Sequence, residues 1–180
     1  MISPANSFAA GLVAPGPAPE RGAAMDLYAW LIGAWEFDLV EFLPDGKERR
    51  RPGEWHFAWV LEGRAIQDVW MVPPRGAARA GDAATQANYY GSTLRTYDPR
   101  IDAWRIQWTD PVAQIYLSMI GRKEGTAIVQ LGKASDGTLV RWSFHDISAR
   151  SFVWRSELSA DAGATWRLNV QFAARRLPPP

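Results

Sequence analysis

Turn signals recur at nearly even intervals along most of this chain, and no other feature constrains the fold as much. They are Pro44-Asp45-Gly46, Leu61-Glu62-Gly63, Asp98-Pro99, Asp110-Pro111, Lys123-Glu124-Gly125, Ser135-Asp136-Gly137, Ser148-Ala149-Arg150 and Asp161-Ala162-Gly163. Gly and Pro supply the special dihedrals of tight turns, and Asp and Ser cap them with their own side chains. From Asp98 the spacing is about 12 to 13 residues, which is one strand plus one hairpin turn, repeated. A longer loop rich in Ala, Gly and Pro spans Pro73 to Asn88. With the eight turns it makes nine connections, hence ten strands.

Between the turns the residues alternate. Trp104, Ile106 and Trp108 fall on one face, Arg105 and Gln107 on the other. Val140, Trp142 and Phe144 alternate with Arg141, Ser143 and His145. Phe152, Trp154, Ser156 and Leu158 alternate with Val153, Arg155 and Glu157. Trp166, Leu168, Val170 and Phe172 alternate with Arg167, Asn169 and Gln171. A period of two with one apolar face marks an antiparallel sheet with one wet side. An up-and-down meander exposes two edges unless the first strand pairs with the last. The expected fold is therefore all-β: a closed antiparallel up-and-down barrel of about ten strands. A β-propeller needs about four blades of four strands, more than this chain supplies. Hairpin registers pairing Phe144 with Trp154 and Leu158 with Trp166 would set Arg141, Glu157 and Arg167 in one external row.

The barrel fills one domain over residues 25–177, with a short helix from Asp26 to Ile32 before it. Asp26 serves as N-cap and Gly33 as the stop, and Leu27, Trp30 and Leu31 share a face. Residues 1–24, rich in Ala and Pro, and residues 178–180 are expected to be disordered tails. No basic residue precedes the short apolar stretch Phe8 to Val13, so a secretory leader is not expected and the cytoplasm is.

Composition excludes several function classes. There is no Cys, which removes disulfides, thiolate metal sites and a Cys nucleophile. The 2 histidines, His56 and His145, cannot make a three-histidine zinc site. Net charge is +1, without the basic excess of a nucleic-acid binder. No run of about 18 apolar residues spans a membrane as a helix. The 10 Trp, spread from Trp30 to Trp166, mean a bulky aromatic interior or the walls of a pocket.

Individual motifs read mostly as structure. Ser159-Ala160-Asp161-Ala162-Gly163-Ala164-Thr165-Trp166 matches the Asp-box hairpin clasp, in a single copy. Tyr97 to Trp104 echoes a kelch-type turn, again once. His56 and His145 fall on polar faces by alternation. Arg49-Arg50-Arg51 is expected to be a solvated hairpin rather than a phosphate contact. Asp68 shares a face with Ile66 and Trp70, which points it inward, where a carboxylate must be paired or protonated. Tyr116, Ser118 and Ser156 are the other inward polar candidates.

Gly33-Ala34-Trp35, opening the first strand, with Arg175 or Arg176 at the end of the last, resembles the Gly-x-Trp signature of the calycins, the lipocalin-like barrels. In that superfamily the Arg packs over the Trp at the barrel floor. Leu61 to Trp70, Gly91 to Asp98 and Arg141 to Phe144 are similar to a calycin family of unknown function, which implies a barrel but no chemistry. A haem-binding calycin branch takes a His ligand from a late strand, where His145 sits, but its Gly-rich signature is not reproduced after Trp35.

A ten-stranded barrel encloses more volume than side chains normally fill. The expected function is binding of a small apolar or aromatic molecule, with Trp59, Asp68, Trp70, Trp108, Tyr116, Trp142 and Trp154 as the ligand-binding residues. No metal and no cofactor are expected, nor a nucleic-acid or membrane partner; a homodimer stays open. The alternatives are a cofactor-free lyase or isomerase using Asp68, Tyr116 or a histidine, and a haem-binding barrel.

Overall fold

The computed structural model describes residues 7–77 and 88–178. Residues 1–6 of the expected tail, 78–87 of the long loop, and 179–180 lie outside them. Among the described residues, eleven strands form one sheet: β1 (Val13–Ala14), β2 (Gly33–Phe42), β3 (Glu48–Val60), β4 (Ala65–Val72), β5 (Tyr89–Asp98), β6 (Ala103–Asp110), β7 (Ile115–Glu124), β8 (Ala127–Lys133), β9 (Leu139–His145), β10 (Ser151–Ser159) and β11 (Arg167–Arg176). Strands β2 to β11 pair antiparallel in chain order, and β11 pairs back onto β2. The meander is thus a closed ten-stranded barrel, and the two-residue β1 is an addition outside the ring.

Closure brings Arg176 opposite Trp35. The Arg176 guanidinium lies 4.1 Å above the Trp35 ring and donates to the carbonyls of Ile32 at 2.6 Å and Ala149 at 2.7 Å, and to that of Trp30. The Trp35 indole N–H donates to the Leu31 carbonyl at 2.7 Å. This end is the floor, and the hairpin turns at Pro44, Pro111, Ser135 and Asp161 surround the opposite end, the mouth.

The expected tail is partly ordered. α1 (Phe8–Leu12) leads into β1, where Val13 and Ala14 pair with Val60 and Trp59. The β3–β4 turn, left with bare backbone groups at the floor, draws this segment in: Leu61 N–H donates to Leu12 O and Ala18 N–H to Gly63 O, both at 3.0 Å. A side chain at Gly63, whose φ is +78°, would strike the Gly16 carbonyl at 2.2 Å.

The expected Asp26 to Ile32 helix is shorter. A 3₁₀ helix over Pro19–Met25 precedes α2 (Asp26–Ala29), and turns continue to Gly33. Its deepest residues are Tyr28 and Leu31, both fully buried. Tyr28 plugs the floor: its hydroxyl accepts from Gln130 Nε2 at 2.9 Å and its ring meets Trp104 edge-on at 4.9 Å.

The expected Arg–Glu–Arg row is only half present. Arg141 faces Glu157 and both guanidinium arms bond its carboxylate, at 2.8 and 2.9 Å. A bulge shifts the β10–β11 register between Ser156 and Glu157, so Glu157 pairs with Leu168 rather than Arg167. One extra residue in a strand reverses the faces of everything before it. Trp166 therefore leaves the inner set and lies instead under Arg141, 4.1 Å from its guanidinium.

Candidate ligand-binding site

The inward face of each strand follows from alternation, but height along the barrel decides what each inward residue does. Nearest the floor sit Trp35, Phe152, Phe144 and Tyr28. Trp55 and Phe57 fill the middle, with Trp55 against Phe144, Phe152 and Trp154 at 6.0 to 6.2 Å. Above them four indoles close a ring: Trp70–Trp108 at 5.5 Å, Trp108–Trp142 at 5.9 Å, Trp142–Trp154 at 5.5 Å and Trp154–Trp70 at 5.4 Å. Aromatic pairs at these separations are favourable beyond their area burial.

Beyond that ring, at the mouth, a cavity of about 250 Å³ stays open. The four indoles form one side of it. Leu39, Tyr89, Leu117, Val140, Leu158 and Val170 are among the other lining residues, with Ser156 and Asn169 as polar members. Asn169 faces the cavity because the bulge inserts it; alternation alone assigns it to the polar face. A larger and more open groove of about 770 Å³ lies outside the floor, between the N-terminal helices and the β5–β6 and β7–β8 turns, with polar residues such as Asp26, Asp102 and Lys123 along it.

Four of the seven expected ligand-binding residues, Trp70, Trp108, Trp142 and Trp154, meet at this cavity. Trp59 is buried nearer the floor, paired with Ile66. Tyr116 points outward and is 56% exposed. Both faces of β7 are apolar in sequence, and its register to β6 sends Leu117 and Met119 inward, with Tyr116 and Ser118 outside. The inward assignment of those two is corrected accordingly.

Asp68 does point inward, below the indole ring. It is 1% exposed and ion-paired to Arg95, which is 0% exposed. Its other oxygen accepts from Thr93 N–H at 2.8 Å. Arg95 was not foreseen, although an inward carboxylate demands a counter-charge and Arg95 follows Gly91 and Thr93 at period two. Its guanidinium lies 5.5 to 5.9 Å from the rings of Tyr28, Trp55 and Phe57, whose faces take up the arms that find no oxygen. Burial, only partly offset by the Arg95 charge and the Gln130 hydrogen bond, pushes the Tyr28 hydroxyl up to about 12.

A polar cluster borders the cavity on the other wall. Glu41 on β2 accepts from Arg49 Nε at 2.7 Å, Arg49 Nη2 at 3.1 Å, Arg51 Nη2 at 2.8 Å and the Tyr89 hydroxyl at 3.0 Å. Burial acts to raise Glu41, but the Arg49 hydrogen bond and Arg51 charge outweigh it and hold the carboxyl below its ordinary value. Burial and the neighbouring Glu41 push Tyr89 up to about 12. The Arg49 to Arg51 run is therefore not simply solvated: Arg49 and Arg51 turn in, and Arg50 turns out to Glu48.

Both histidines face outward. His56 contacts Glu54 at 3.4 Å and Arg75 at 3.2 Å, and His145 contacts Ser143 at 2.9 Å. Neither offers a ligand to a haem inside the barrel. Among the described residues no group of three or more His, Asp or Glu is placed to hold a metal ion, and no helix is long and apolar enough to cross a membrane. The Asp-box is a turn clasp: Asp161 accepts from Ser159 Oγ, Thr165 N and Thr165 Oγ1 at 2.6 to 2.9 Å. These hydrogen bonds, Thr165's first, lower its carboxyl to about 2.

No protein-family model and no curated protein matches the sequence. Among solved structures, Rv2717c from M. tuberculosis is 12% identical, with a TM-score of 0.61 over 90% of this chain and 99% of that one. A redesigned β-barrel, mFAP0, bound to DFHBI, is 14% identical over 82% of this chain and 99% of that one, at a TM-score of 0.42. The likeness to Rv2717c is one of fold: a closed ten-stranded barrel with the same overall course.

Proposed function

We propose that the barrel binds a small, flat apolar or aromatic molecule in the mouth cavity. The observation that carries this reading is the division of the interior. Aromatic side chains pack the floor and middle, yet about 250 Å³ stays unfilled above four contacting indoles. That volume is below the range of about 300–1,000 Å³ usual for drug-sized ligands, so it favours one or two fused rings over a haem or a long acyl chain. The calycin assignment is supported by the Trp35–Arg176 stack at the floor. The acid–base alternative loses its candidates: Asp68 is locked to Arg95 below the ring, Tyr116 is outside, and both histidines face away.

Titration with naphthalene-sized probes at micromolar concentration, read by Trp fluorescence, tests the reading. Quenching or a spectral shift is expected, because the ligand would rest on several indoles. An unchanged spectrum across a panel of one- and two-ring aromatics would sink it.

A further inference from the structure

Resting on that reading, we infer that the ligand is a neutral hydroxylated aromatic, a phenol in the broad sense: its rings lie on the indoles and its hydroxyl sits between Ser156 and Asn169. Ser156 follows Trp154 in the inward row of β10, opposite Trp142 on β9 and Val170 on β11, and all four line the cavity. It is 5% exposed. Asn169 is the extra residue of the bulge beside it. The ladder steps from Ser156–Val170 to Glu157–Leu168, which leaves Asn169 without a cross-strand partner and turned to the cavity. One hydroxyl and one amide thus meet the cavity at adjacent places on its wall.

Among the described residues neither side chain has a hydrogen-bond partner. A hydroxyl so deeply buried is normally bonded, and one that is not calls for an explanation. The indole N–H groups of Trp70 and Trp154 also lack partners, but neighbouring atoms seal them in; the Ser156 hydroxyl opens on the cavity. The other lining hydroxyl, that of Tyr89, is engaged by Glu41 at 3.0 Å. Indole N–H groups can only donate, whereas Ser156 and Asn169 also accept. Once a ligand displaces water from the cavity, their oxygens need a donor, and leaving them bare is costly. A ring hydroxyl gives one proton and accepts another, so it matches the pair. A bare hydrocarbon does neither, and an ether leaves the Asn169 carbonyl unmatched. No charged side chain is among the lining residues, which fits a neutral group.

The test is a pair of probes of matched shape, 2-naphthol and 2-methylnaphthalene, titrated calorimetrically into the full chain at neutral pH. A wall without the polar pair prefers the methyl compound, because burying an unmatched hydroxyl is unfavourable. The native protein should instead prefer 2-naphthol about tenfold, two neutral hydrogen bonds set against one lost methyl contact. Ser156→Ala and Asn169→Ala should each weaken 2-naphthol about fivefold. Each should leave the affinity for 2-methylnaphthalene unchanged, which also shows that the variant is folded. Asn169 is only half-buried, so its variant keeps the test open where Ser156→Ala does not fold. Equal affinity of the native protein for both probes, or a preference for the methyl compound, overturns the inference while the cavity reading stands. A preference for 2-naphthol that survives these substitutions overturns it too. If neither probe binds, the cavity reading falls and this inference with it.

Discussion

The two ends of this barrel are built from the same residue types to opposite effect. At the floor Trp35 is covered on one face by Arg176 and capped at its N–H by Leu31, while Tyr28 and Trp30 close the remaining space. At the mouth four tryptophans touch one another and stop, leaving a hollow above them. Arginine likewise seals the floor through backbone carbonyls, but at the mouth it meets a carboxylate and solvent. A tryptophan-rich interior is therefore not in itself a binding site. It leaves a cavity only where the chain supplies no plug.

The sharpest way to break this contrast is Arg95→Met in the packed half. It strands Asp68 as a buried, unpaired carboxylate, and chemical denaturation should show a loss of about 3–5 kcal/mol. A loss below about 1 kcal/mol would mean water reaches the middle of the barrel, and the division into packed and open halves would fail. Arg176→Gln comes next. It removes the ring stack and charged hydrogen bonds to several carbonyls, and about 2–3 kcal/mol should go, with the probe affinity at the mouth unchanged.

The mouth should answer differently. Leu158→Phe adds volume where space is already open, so its stability should change by less than about 1.5 kcal/mol. Probe quenching of Trp fluorescence should disappear in this variant. Retained quenching would place the ligand elsewhere, in the outer floor groove for instance.

The smallest effect is in the pH dependence. Glu41 titrates below its ordinary value in the folded chain. Its contribution is therefore present above the unfolded value, about 4.3, and is lost as pH falls through the lower folded value. Denaturation midpoints of the native chain and E41Q should converge as the pH is taken down from 5 to 3. Curves that stay parallel would show that the rim network adds nothing to stability.

Much of this was legible in the sequence. The turns, the strand count and the first-to-last closure followed from spacing and alternation, because both are local backbone properties with a period of two. The inward Asp68 was legible for the same reason. Tyr116 was not, since a strand apolar on both faces carries no parity signal. Nor was the outward turn of Trp166, which depends on a bulge that no local residue pattern announces.

The sequence by itself determined which strands form, that they close, and which faces of most of them look inward. Only the tertiary structure decided what the inward residues do. Trp59, Asp68 and Trp70 share one inner surface, yet Trp59 is floor packing, Asp68 is half of a buried ion pair, and Trp70 borders the cavity. Alternation assigns a side and carries no information about height. Height is set by how neighbouring strands are staggered around the barrel and by the plug that the N-terminal segment drives into one end.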